Sequence, residues 1–192
     1  MTTHSERLIV EPITEALAAE LEQALRLPAV YARVNDGQMP THEDFLRDVS
    51  VWAAGPGPGR PEQRWMDLAL RLRCTDALVG RMSATWHRQQ VELAYFLTPA
   101  SWGQGLASEA VQWLEAHCER SWPVERFWIV VTPGNERSLA LATRLGYAPL
   151  GEAPRPRLFS YNDGDWVMTR PAGLNAPRPS WPPGPPRPAA AR

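Results

Sequence analysis

Two rhythms of apolar residues alternate along this chain, one of period two and one of period about 3.6, and their succession predicts a string of strands and helices. ERLIVEPIT, residues 6 to 14, reads as a first strand, with Leu8, Val10 and Ile13 apolar and Pro12 at its exit. Residues 15 to 27 carry Leu17, Leu21, Ala24 and Leu25 at helical spacing, and Pro28 ends that helix. After a connection over 29 to 41, HEDFLRDVSVWAAG predicts a second helix with Phe45, Leu46, Val49 and Trp52 on one side. GPGPGRP, 55 to 61, can sustain neither element: its prolines lack N–H donors and its glycines lose the most backbone entropy on ordering.

The period of two returns in RWMDLALRLR, 64 to 73, where Met66, Leu68, Leu70 and Leu72 share one face of a half-buried strand. ALVGRMSATWHRQQ and VELAYFL follow closely enough to form a hairpin, so three antiparallel strands lead into a glycine-rich bend and then a helix, LASEAVQWLEAHCER. Phe127 to Val131 is apolar throughout, the pattern of a strand buried on both faces. Asn135 then caps a helix marked by Leu139, Ala142 and Leu145 and stopped by Gly146. RLFSYNDGDWVMTR, 157 to 170, predicts a last hairpin turning at Asn162-Asp163-Gly164-Asp165. Beyond it eight prolines fall among the final 22 residues, too few apolar groups to offset ordering, so residues 1–171 read as one domain and 172–192 as a disordered or polyproline II tail.

Composition narrows the classes. A chain of 192 residues can bury a substantial core, and a net charge of −1 argues against a nucleic-acid binder. All 20 basic residues are arginine, so no side-chain lysine is available for self-acylation. Cys74 and Cys118 have no ligand or redox spacing, and His4, His42, His87 and His117 form no i,i+4 pair, so no metal site is indicated and a reducing cytoplasm fits. No apolar run approaches the ~20 residues of a membrane span or the core of a signal peptide.

The chemistry concentrates at the bend. Gly103 and Gly105 carry no Cβ, so the backbone there can present N–H groups to an anion, and the helix after them adds orphan donors and the positive end of its dipole. A dinucleotide fingerprint would want Gly or Ala where Ser108 stands and an acidic residue where Val131 and Thr132 stand. A P-loop would need the lysine that the chain lacks.

What Trp102-Gly103-Gln104-Gly105-Leu106-Ala107 resembles is the acetyl-CoA loop of the GNAT acyltransferases, Gln/Arg-x-x-Gly-x-Gly/Ala. Its first-position Trp and nearby Glu109 are similar to the branch that acetylates ribosomal-protein N-termini. A second segment matches: the Asn-x-x-Ser helix and Leu-Gly-Tyr ending, carried by Asn135, Ser138, Leu145, Gly146 and Tyr147. The resemblance spans residues 6 to 170, at motif level 92 to 109 and 135 to 147. It implies an α/β (α+β) fold with a mixed, twisted sheet of about seven strands and about four helices, splayed between the fourth and fifth strands.

The resemblance also implies roles. Acetyl-CoA is the expected co-substrate, with backbone N–H groups near Phe96 and Leu97 along its pantetheine, residues 102 to 108, Ser108 included, at the pyrophosphate, and Asn135 at the thioester arm. The acceptor is a primary amine, most specifically a protein or peptide N-terminus; a small amine or aminoglycoside, or a non-catalytic acyl-CoA-binding module, are the alternatives. Glu92, on the strand entering the loop, is the candidate base and His87 its reserve. Many relatives place a donor Tyr where Ala142 stands, so either the thiolate leaves without that donor or Ser138, Tyr147 or Tyr161 substitutes. A monomer or homodimer is expected.

Overall fold

The computed structural model describes residues 3–34, 37–151 and 164–173, and in it the alternation of the sequence becomes one eight-stranded sheet. Strands β1 (Thr3–His4), β2 (Leu8–Pro12), β3 (Gln63–Leu72), β4 (Leu78–His87), β5 (Gln90–Leu97), β6 (Arg126–Val131), β7 (Ala148–Pro149) and β8 (Trp166–Pro171) lie in the order β1-β2-β3-β4-β5-β6-β8-β7. Every neighbouring pair is antiparallel except β5 and β6. Helices α1 (Ala18–Leu25), α2 (Pro28–Tyr31), α3 (His42–Ala54), α4 (Leu106–Ser121) and α5 (Glu136–Arg144) flank it.

The architecture is the mixed α/β sheet that the sequence implied, with small differences that have local causes. β1 and β7 are two residues each, too short to leave a rhythm. The fifth helix is α2: Pro28 both ends α1 and opens a new turn at its first position, where its missing N–H costs nothing. The helix read over 15 to 27 shortens to α1, preceded by a 3-10 turn at Glu15–Leu17. Tyr161, the strand leading into the last turn, Asn162 and Asp163 of that turn, and the tail beyond Gly173 lie outside the described residues. No helix among the described residues is long and apolar enough to cross a membrane.

Strand alternation sorts the side chains into two layers. Leu68, Leu70, Met82, Ala84, Val91, Leu93, Phe127 and Ile129 pack with Leu106, Val111 and Leu114 of α4 and Leu141 of α5. On the opposite face Ile13 and Ala69 meet Leu21 and Leu25 of α1 and Phe45 and Val49 of α3. Thr41 caps α3 by accepting from the Asp44 amide at 3.1 Å. A polar group is drawn into this second layer: the Arg81 guanidinium lies 3.7 Å from the Trp52 ring centroid and 4.8 Å from that of Phe96, and donates to Asp67 at 3.3 Å. The first layer holds its own buried pair, in which Tyr147 donates to Glu115 at 2.5 Å and Arg170 reaches the same carboxylate at 3.0 Å.

Burial pushes the Asp67 carboxyl up to about 6 against the opposing pull of Arg81. The folded protein therefore binds this proton more tightly than the unfolded chain does, so Asp67 contributes stability at low pH that is lost as pH rises through about 6. Thermal unfolding across that range is expected to show a flatter pH dependence for Asp67→Asn than for the native chain. Asp67→Ala, which removes the carboxylate bonded to Arg81 and leaves it only the field of Asp48, is expected to cost about 3 kcal/mol.

Candidate functional site

The parallel pair β5–β6 is joined over four registers only, from Gln90↔Arg126 to Leu93↔Ile129. β5 runs on through Ala94, Tyr95, Phe96 and Leu97, and β6 through Val130 and Val131, so beyond Leu93 and Ile129 the two strands part. The slot between them opens beside the bend. Its backbone polar groups are not paired across it, a cost that a ligand with amide groups of its own would offset.

The bend at the mouth is shaped by two glycines in the left-handed region, Gly103 at φ 75° and Gly105 at φ 78°. Gly105 is the N-cap of α4, a conformation that would cost an L-residue roughly 1 kcal/mol. The amides from Gly103 to Ser108 donate to no carbonyl or side chain among the described residues. Leu106 is buried in the first layer, so at that position only the backbone is available to a ligand. Gln104 is tied by its side-chain amide to the Ala100 carbonyl at 2.7 Å. Trp102 donates its indole N–H to the Leu97 carbonyl at 2.9 Å and carries Arg137 of α5 4.6 Å from its ring centroid. The Trp thus fastens the bend to the end of β5 and touches the opposite bank.

On that bank, Asn135 caps α5 by accepting from the Ser138 amide at 3.3 Å. The Ser138 hydroxyl shares a hydrogen bond of 2.7 Å with the phenol of Tyr95, so one side-chain contact spans the slot from β5 to α5. Burial pushes the Tyr95 phenol up to about 12 although Ser138 opposes the shift. Tyr147 is spoken for by Glu115, and burial together with that carboxylate raises its phenol well above the ordinary value. Ala142 is fully buried and brings no side-chain donor to its position, and the neighbouring Thr143 hydroxyl is turned back to the Leu139 carbonyl at 2.8 Å.

Glu92 lies one residue before the strands part, opposite Thr85 on β4 and Trp128 on β6, and is 7% exposed. Val91, Leu93 and Leu97 enter the α4 layer, whereas Phe96 packs under α1 and α3, so Glu92 projects to the α1–α3 face. His87 sits on that face too, beside the β4–β5 turn and 3.9 Å from Glu62. The structure thus groups Glu92 with His87 on one side of the sheet and Tyr95 with Ser138 on the other. Among the described residues no group of His, Cys, Asp and Glu is placed to hold a metal ion.

Sequence reasoning missed three participants. Tyr95 was hidden inside an apolar run, and Arg7 stands 97 residues from the Gln104 carbonyl that it reaches. Gly80 had no local mark at all: a Cβ there would overlap the Phe96 carbonyl oxygen and Leu97 Cδ2, so glycine lets β5 lean onto β4 where it leaves β6.

The sequence pattern of one family, described as Acetyltransferase (GNAT) domain, matches residues 7–148. A search of curated proteins gives no match. Among solved structures, an acetyltransferase of the GNAT family from Bacillus anthracis superposes with a TM-score of 0.68 at 18% identity, over 90% of this chain and 99% of the other. The Salmonella typhimurium acetyl transferase that modifies the N-terminal serine of ribosomal protein L7/L12 gives 0.66 at 21% identity, over 87% and 96%. A ribosomal L7/L12 α-N-protein acetyltransferase in complex with coenzyme A gives 0.66 at 19%, over 89% and 98%. At these identities the likeness is one of fold.

Gly80→Ala is expected to force β5 back toward β6 and narrow the slot. Calorimetric titration with coenzyme A should show at least about a tenfold loss of affinity, with a smaller change in unfolding temperature than a core cavity would cause.

Proposed function

Because the chain belongs to the GNAT acetyltransferase family, we propose that it moves an acetyl group from acetyl-CoA directly to a primary amine, that of a protein or peptide N-terminus. One observation carries the reading: a parallel strand pair opens beside a bend whose consecutive amides have no partner among the described residues. A long thioester arm ending in a diphosphate fits both halves, with its amides against the unpaired edge of β5 and its anion against Gly103 to Ser108 and the start of α4. Asn135 and the Phe96–Leu97 backbone line the arm. Acetyl-CoA supplies the activated acyl group; the chain supplies position, a base and a donor.

The two-sided arrangement gives each group its task. The amine approaches from the α1–α3 face, where the buried Glu92 carboxylate takes its proton directly or through water, with His87 as the reserve. The sulfur departs toward the α4–α5 face, where the Ser138 hydroxyl serves as donor, hydrogen-bonded to Tyr95, which is still protonated at neutral pH. The C–N bond forms as the C–S bond breaks, and the proton lost by the amine balances the one gained by the thiol. Choice of a peptide N-terminus draws on the two neighbours that act on ribosomal protein L7/L12.

The test is thiol release from acetyl-CoA with N-terminal peptides, polyamines and aminoglycosides. Release with peptides is expected; release with aminoglycosides alone would move the acceptor, and stabilisation by acetyl-CoA with no release from any acceptor would overturn the proposal. Glu92→Gln is expected to lower kcat/KM by about 100-fold at neutral pH, with the deficit shrinking as the pH rises and more amine is already free. An unchanged rate at every pH would exclude Glu92 as the base.

A further inference from the structure

The bend is held from outside by Arg7, the residue just before β2. Arg7 donates its backbone N–H to Glu109 at 2.7 Å and its Nε to the same carboxylate at 2.6 Å, while its Nη1 donates to the Gln104 carbonyl at 2.9 Å. Ser5 adds its hydroxyl to Glu109 at 2.7 Å. The Nη2 atom of Arg7 lies 3.5 Å from where a Cβ on Gly105 would stand, over the part of the bend whose amides have no acceptor. The Arg7 side chain is 46% exposed and Glu109 only 15%. Among the described residues no hydrogen bond engages Nη2, which leaves its two N–H groups available over the bend.

This arrangement answers an electrostatic problem. Glu109 is in the first turn of α4, where a carboxylate favours the helix dipole but would repel any diphosphate seated there. Burial pushes its carboxyl up, but the Ser5 hydroxyl and the Arg7 amide and guanidinium together hold it below the usual range, so it is charged at neutral pH. Arg7 cancels that charge. It also engages the Gln104 carbonyl of the bend.

We propose that Arg7 is a phosphate-recognition residue: it neutralises Glu109, engages the Gln104 carbonyl, and presents Nη2 to the diphosphate of a nucleotide-bearing thioester. This rests on the acetyl-CoA reading above. The proposal separates the phosphate end of the ligand from its thioester end, and the test exploits that separation. Affinity for coenzyme A is measured by calorimetry at two ionic strengths, and KM is measured with acetyl-CoA and with S-acetylpantetheine, which has no phosphate.

Arg7→Gln is expected to weaken coenzyme A by about tenfold or more, the worth of one charge-assisted contact, and to reduce the salt dependence of binding. Its KM for S-acetylpantetheine should stay within about twofold of the native value, because no phosphate is involved. Adding Glu109→Gln should recover part of the lost affinity, since the carboxylate that Arg7 offsets is then gone. Equal losses with both donors, or no recovery in the double variant, would make Arg7 a fastening for the loop alone and overturn the proposal. Failure of the native protein to bind coenzyme A would be seen before any variant is made, and would remove both this inference and the reading beneath it.

Discussion

The structure depends on a ladder that stops early. Backbone N–H and C=O groups inside a sheet are obligatory hydrogen-bonding groups, and two strands parting in mid-sheet leave a row of them unmet. β5 and β6 do this after Leu93 and Ile129, and several features elsewhere in the chain exist to keep them apart. Gly80 gives β5 room to lean toward β4. Tyr95 and Ser138 prop the far side, and the helices that follow each strand, α4 and α5, seat their first turns at the two banks. A slot whose peptide groups do not pair across it suits a ligand that is itself amide-rich and extended.

The two faces of the sheet then carry opposite duties. The α4–α5 layer is the larger and continuous one, apolar but for the buried Tyr147–Glu115–Arg170 cluster, and fixes the helix starts in place. The α1–α3 layer is thinner and admits charge, with Arg81 stacked by Trp52 and Phe96 and tied to Asp67. A buried ion pair of this kind is weak evidence of stability, but losing one partner is costly, so it specifies how β3, β4 and α3 pack. Phe96 belongs to both stories, since it packs against that guanidinium and its strand forms one edge of the slot.

Much of this was legible in the sequence because it is written locally. The period-two runs became strands within a residue or two of their expected ends, Asn135 caps α5, and both glycines of the bend have the positive φ for which glycine is suited. The parting of the sheet was implied by the resemblance of the bend and the following helix to one family, never by strand alternation, which is blind to register. What stayed hidden is what the fold assembles at a distance. Arg7 and Glu109 are 102 positions apart, and nothing in either neighbourhood announces the other. Tyr95 sat in an apolar strand where an aromatic reads as core, which it partly is. Trp102 was visible as an odd residue in its motif, but its indole bond to Leu97 is a fact of three dimensions.

Among the described residues the banks of the slot are tied by side chains, the hydroxyl pair of Tyr95 and Ser138 and the guanidinium of Arg137 on the Trp102 ring. Rotamer changes of such groups take far less time than breaking a strand ladder. Widening the gap for a spent carrier to leave therefore asks nothing of the secondary structure, and the gate can cycle while the scaffold around it stays still.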